Sequence, residues 1–168
     1  MLRSRVRVPE GAPYSKQRIS GQVMNTVLVG DIGESVAIAA FTKAGLVVSK
    51  PISNNAKYDL IVELNNRLYK VQVKSTNSIK NDKMYFATKT TNYSNGSWSS
   101  NTYTKDDVDI FFLYCLENDW AGLYFLEDIT VAPINITLHL AAPKNGQKAH
   151  IRLAEDYTFA KQIQNYMG

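Results

Sequence analysis

The sequence predicts an α/β domain in which one helix precedes a set of strands, and three observations carry that expectation. Lys57–Glu63 and Leu68–Thr76 read as strand, turn and strand, with Val71 and Val73 on one face and Gln72 and Lys74 on the other. Upstream, Ile32, Val36, Ala39, Ala40 and Phe41 recur near helical spacing. Ten tyrosines and six phenylalanines tilt the remainder towards strands.

The elements follow in order. Residues 1–23 hold Pro9, Gly11, Pro13 and Gly21 with scattered charge and no apolar period, so they are expected to be weakly ordered or non-native. Back-translation of Ser4–Pro13 permits a run resembling the T-arm of a transfer-RNA gene, which places the expected natural start at Met24 and one domain over residues 24–168. A helix is expected from Asn25, with Asp31 as its cap and Gly45 in the left-handed position that ends it. Leu46–Ser49 is the first strand, stopped by Pro51, and Ser53-Asn54-Asn55 is a loop. The two motif strands join through Asn65-Asn66-Arg67, a hairpin-type turn. Met84–Thr88 is a further strand, and residues 92–105 are expected to form a polar loop dotted with aromatics. Ile110–Leu116 and Gly122–Leu126 form a second hairpin around Asn118-Asp119, and residues 158–167 close the chain as a short helix.

Composition narrows the function classes. The 168 residues suit one domain, and 45% apolar content supports a core of useful size. No apolar run reaches the length of a membrane span, and the arginine-bearing N-terminus has no secretory h-region. The single cysteine, Cys115, lies in an apolar run and cannot form an internal disulfide, which fits a reducing cytoplasm; it reads as a buried, inert thiol. Charge is segregated along the chain. Residues 43–105 carry ten Lys and Arg against three acids, whereas residues 106–143 carry seven acids and no Lys or Arg. The basic stretch is expected to face a polyanion and the acidic stretch to face away or into a partner subunit.

The chemistry centres on the two motif strands. A carboxylate (Asp59), an amide (Gln72) and an ammonium (Lys74) on adjacent strands are the groups that metal-assisted phosphodiester cleavage requires. The acid holds a divalent cation, and the lysine orients or activates water beside the phosphate. An amide between two buried valines needs a reason, because leaving it unpaired costs roughly 1–3 kcal/mol. Asp107 and Asp109 precede an apolar strand and read as edge or capping groups, and His139 and His150 have no zinc-ligand spacing. Ser53 stands in the loop before Asp59, within reach of a phosphate. Tyr93, Trp98, Tyr103 and Lys105, among Ser, Thr and Asn, suit groove contacts, and Lys80 and Lys83 suit phosphate contacts.

With Gly30-Asp31-Ile32-Gly33-Glu34, Tyr58-Asp59-Leu60-Ile61-Val62 and Tyr69-Lys70-Val71-Gln72-Val73-Lys74, the chain resembles the PD-(D/E)XK nuclease superfamily. Within it, the sequence is most similar to the small group-I-intron homing endonucleases. The resemblance runs from about Val29 to Leu126, and more faintly to Tyr157. It implies a restriction-endonuclease-like αβββαβ core with a mixed central sheet. It also implies Asp59 as metal ligand, Lys74 as catalytic lysine, Glu34 as helix-borne acid, and Gln72 in the place of the usual second acid. Two departures stand out: Tyr58 replaces the proline before Asp59, and Gln72 is neutral. An amide oxygen holds Mg²⁺ more weakly than a carboxylate, yet glutamine at this place occurs in the homing branch. The expectation is therefore a site-specific endonuclease that cuts double-stranded DNA with Mg²⁺, or Mn²⁺ in its place, as a homodimer or higher oligomer. The alternatives are a restriction or repair nuclease, a junction resolvase, or a DNA-binding module that has lost cleavage.

Overall fold

A computed structural model describes residues 25–53, 55–94, 96–127, 131–143, 149 and 151–167. The expectations for residues 1–23, for the start at Met24 and for His150 lie outside these residues.

The first element is helix α1 (Thr26–Lys43), capped by Asn25, whose side chain accepts the Val27 N–H at 3.1 Å. The expected cap, Asp31, lies inside the helix instead, where its carbonyl accepts the Ser35 hydroxyl. Asn25 takes the position because it immediately precedes the first helical turn, whose free N–H groups are the ones needing an acceptor. The other end closes as expected: Gly45 has φ +81°, Leu46 N–H reaches Phe41 carbonyl and Gly45 N–H reaches Thr42 carbonyl. Val29, Gly33, Ala37 and Phe41 form the buried stripe, four residues apart. Two of these are small, so the helix lies close on the sheet.

That sheet has five strands in the order β1-β2-β3-β8-β9: β1 (Val47–Ser49), β2 (Leu60–Leu64), β3 (Arg67–Thr76), β8 (Ile110–Cys115) and β9 (Trp120–Phe125). It is mixed, because β3 and β8 run parallel while the other neighbours are antiparallel. Asn65 and Asn66 both take positive φ in a two-residue turn that pairs Leu64 with Arg67, so Arg67 belongs to the strand. The chain from β3 to β8 runs through β4 (Ile79–Lys80), β5 (Lys83–Ala87), β6 (Lys89–Ser94) and β7 (Ser97–Thr102). Residues 92–105, expected as a loop, hold the β6–β7 hairpin for most of their length. Thr, Asn and Ser on both faces of these strands hide the alternation that marks a half-buried strand.

Three layers result. Helix α1 and the closing helix α2 (Phe159–Met167) cover one face through Phe41, Val71, Val73, Phe112 and Ile163. Phe41 packs on Phe112 at 5.6 Å between ring centroids and on Phe159 at 5.3 Å. A small sheet, β10-β5-β4, with β10 spanning Asn135–His139, covers the other face through Met84, Phe86, Ile136 and Leu138. All six residues of β8 are buried, as the centre of a two-sided core requires.

Candidate active site

The strand β3 is twice as long as its neighbour β2, ten residues against five. Where β2 has not yet begun, the edge of β3 away from β8 offers backbone groups with no strand beside them. Asp59 fills that place. Its N–H donates to the Val71 carbonyl at 2.9 Å, which keeps it in register opposite β3. Its Oδ2 accepts the Val73 N–H at 2.8 Å and the Gln72 Nε2 at 2.6 Å. The half-buried Gln72 amide is thus satisfied by a carboxylate, which removes the cost of leaving it unpaired.

Lys74 lies two residues on, so it projects from the same face as Gln72. Its Nζ donates to the Tyr103 hydroxyl at 3.1 Å and lies 4.9 Å from the centre of that ring. Glu34, on α1, accepts Lys50 Nζ at 2.6 Å. The charges feel one another. Burial pushes the Asp59 carboxyl above its ordinary value against its Val73 hydrogen bond; Glu34 pushes the same way, and Lys74 and Lys50 pull it back. Burial lowers Lys74, and Asp59 opposes the shift. Burial, with Asp59 and Asp107, pushes the Tyr103 phenol up to about 12, so it is neutral at physiological pH.

Glu34, Asp59, Gln72 and Lys74 therefore come from a helix and two neighbouring strands into one electrostatically coupled cluster. Among the described residues no three His, Cys, Asp or Glu side chains gather at one point. A cation here would take two carboxylates and an amide oxygen. These are hard oxygen donors, which suit Mg²⁺ or Mn²⁺, and a cation would relieve the repulsion that Glu34 exerts on Asp59.

The remaining sequence candidates scatter. Ser53 is exposed in the loop before Asp59, its hydroxyl accepting the Asn55 N–H. Lys80 and Lys83 face each other across the Asn81–Asp82 turn of the small sheet. Lys105 is exposed, donates to the Glu127 carbonyl and lines a shallow cleft with Arg67, Tyr69 and Asp109. Tyr93 and Trp98 are paired across the β6–β7 hairpin; their side chains lie outside the described residues. Tyr103 departs from its expected place among the groove contacts: it is 4% exposed, packed edge-to-face on Phe111, with its hydroxyl on Lys74. Its burial comes from the core that Phe111 of β8 builds together with Met84, Phe86 and Ile136, which no local pattern announces. Lys50 escaped sequence reading too, although a lysine ending a strand just upstream of Asp59 was a usable signal.

The opposition of basic and acidic stretches also needs correction. Parallel pairing of β3 with β8 brings 106–109 alongside 67–70, so Asp107 pairs with Lys57 at 2.8 Å and Asp109 lies 3.9 Å from Arg67. Asp109 also accepts the Lys70 N–H at 2.8 Å, and Asp107 accepts the Thr104 N–H and hydroxyl, both at 3.0 Å. Part of the linear segregation is thus spent inside the fold, and these acids cap strand and turn groups. Cys115 is fully buried, with its thiol pushed up by burial.

The mixed sheet thus brings an acid, an amide and a lysine together, with a further acid on the covering helix. The sequence model of the PD-(D/E)XK endonuclease family matches residues 24–160, and the chain belongs to this family. It is accordingly a nuclease acting on DNA, of a family that generally uses divalent metal ions. Its fold is similar to that of a bacterial homing endonuclease, I-Ssp6803I, with a TM-score of 0.66 and 26% identity over 84% of this chain and 95% of that one. No curated protein matches the sequence. No helix among the described residues is long and apolar enough to cross a membrane.

Proposed function

We propose that the chain is a site-specific endonuclease of the intron-homing type, hydrolysing phosphodiester bonds of duplex DNA with Mg²⁺, or with Mn²⁺ in its place. The observation that carries the reading is the direct contact between Asp59 and Gln72, two residues from Lys74 on one strand face. It supports a QxK arrangement in which the amide takes the place of the usual second acid. The similarity to a homing endonuclease supports the same branch.

In this reading Asp59, Glu34 and Gln72 hold the cation. When bound, the cation supplies electrostatic stabilisation to the phosphate as charge builds on it. Asp59 is fixed by two hydrogen bonds, so its orientation needs no rearrangement on binding. Lys74 places an attacking water and stabilises the developing charge, and its half-buried stem keeps the ammonium from wandering into solvent. Ser53, Lys80, Lys83, Lys105 and the β6–β7 hairpin with Tyr93 and Trp98 supply phosphate and groove contacts. Each chain carries one such cluster, so cutting both strands calls for at least a homodimer on a roughly two-fold site. The compartment in this reading is the cytoplasm.

A second reading has one observation in its favour: Gln72 leaves the site with less negative charge than two strand-borne acids would give it. On that reading the domain binds DNA without cutting. Cleavage of duplex DNA with Mg²⁺ and with a chelator separates the two, alongside the variants Lys74→Met and Asp59→Asn. The endonuclease reading expects metal-dependent cutting that falls by about 10²-fold or more in each variant while DNA binding persists. Absence of cutting by the wild-type protein on its two genomic flanks joined without the intervening intron would favour the binding module.

A further inference from the structure

We propose that Tyr103 is a positioning residue whose phenol oxygen holds the Lys74 ammonium at the cluster formed by Asp59 and Gln72. The inference rests on the reading of Lys74 as the group that acts at the phosphate. A lysine has a flexible four-carbon stem, and a useful lysine at a reacting centre must be held. Among the described residues Lys74 makes no ion pair with a carboxylate, although Asp59 is near enough to influence it. What it does make is a hydrogen bond to Tyr103, 3.1 Å from nitrogen to phenol oxygen, with the same ring 4.9 Å away.

Tyr103 is itself well held. It is 4% exposed, lies edge-to-face on Phe111 at 5.6 Å, and its carbonyl accepts the Ala132 N–H at 2.8 Å. Phe111 is the register partner of Gln72 across the parallel β3–β8 pair. The ring of the tether is thus braced against the strand next to the one that carries Lys74. Its neutrality matters. A carboxylate in this place would cancel the charge of the ammonium, whereas a phenol orients it and leaves the full positive charge for a phosphate. Tyr103 also directly follows the β6–β7 hairpin, with Thr102 ending β7, so the proposed DNA-contacting hairpin runs straight into the lysine's tether.

The test is Tyr103→Phe, which keeps the ring and its packing and removes only the oxygen. Single-turnover cleavage by the full chain with Mg²⁺ should fall about tenfold or more, while duplex affinity stays within about twofold. The second readout is the proton–nitrogen spectrum of the lysine ammonium groups, with Lys74 identified by the signal lost in Lys74→Met. Wild type should show a protected Lys74 signal, and Tyr103→Phe should broaden it and leave the other lysines alone. Wild-type cleavage in Tyr103→Phe overturns the inference. So does slowed cleavage with an unchanged Lys74 signal, or a wild-type protein in which no protected Lys74 signal exists. If Lys74→Met cuts as fast as wild type, the reading of the site fails and this inference falls with it. If Lys74→Met is dead and Tyr103→Phe is not, only the tether is wrong.

Discussion

Two glycines of α1, three residues apart, should respond to alanine with opposite signs. A Cβ built on Gly30 meets nothing within 4 Å, so Gly30→Ala gains the helix propensity of alanine, up to about 1 kcal/mol, at no steric cost. A Cβ built on Gly33 lies 1.9 Å from Ser75 Oγ, 3.2 Å from Ser75 Cβ and 3.3 Å from Val73 Cγ1. The hydroxyl can rotate away, but Ser75 Cβ is fixed to the β3 backbone and Val73 Cγ1 is held in the packed core, so both must give by a few tenths of an ångström. Overpacking of this kind costs about 1–3 kcal/mol, which outweighs the same propensity gain. The expected net effect on Gly33→Ala is a loss of up to about 2 kcal/mol, or roughly 4–8 °C in Tm for a domain of this size. Glu34 is the next residue, so the shifted helix should also weaken metal-dependent cleavage. Ser75→Ala in the Gly33→Ala background should recover part of the loss, since Ser75 Oγ is buried with no hydrogen-bond partner among the described residues. Thermal denaturation of the four proteins decides the matter. If Gly33→Ala stabilises as much as Gly30→Ala, the close approach of α1 to β3 is wrong, and so is the helix-borne placement of Glu34.

Other outcomes follow from the same geometry. Because burial and Glu34 raise Asp59, its ionised form weakens the metal-free fold. Its favourable contribution is present below the ordinary carboxylate range and is lost as pH rises through the raised folded value. Melting in a chelator from about pH 4 to about pH 7 should therefore show Asp59→Asn gaining on wild type as pH rises; a gap that is constant or shrinks refutes the shift. Lys50→Ala frees Glu34 from its 2.6 Å ion pair and should lower the Mg²⁺ concentration for half-maximal binding, measured calorimetrically, by up to about fivefold. Charge reversal at Lys80 or Lys83 should reduce DNA affinity and flatten its salt dependence; an unchanged slope removes these two lysines from the interface.

What the sequence made legible was local. The Asn65-Asn66 turn, the alternation through Val71 and Val73, and the Gly45 stop each state their geometry within a few residues, and the fold has all three. The misses were of two kinds. Some were turn and cap chemistry that was visible but passed over: Asn95-Gly96 is a strong hairpin signal, and Asn25 stands immediately before the helix. Others depend on contacts made far along the chain. Tyr103 is buried in a core that gathers Met84, Phe86 and Ile136 as well as Phe111, and nothing near Asp107 shows that Lys57 will pair with it. The strand β10 joins through β5, and its pairing is likewise non-local.

The strand β8 carries a hazard that the finished fold conceals. Its six residues, Ile-Phe-Phe-Leu-Tyr-Cys, are uncharged, rich in β-formers and free of proline. Until β3 and β9 flank it, such a segment can stack on copies of itself. The chain brackets it with Asp106, Asp107 and Asp109 on one side and Glu117 and Asp119 on the other. Stacked copies in register would bring these carboxylates together at both ends, and their repulsion opposes the stack. The acids that end up capping turns and pairing with Lys57 thus protect the nascent chain from self-association before the nuclease centre exists.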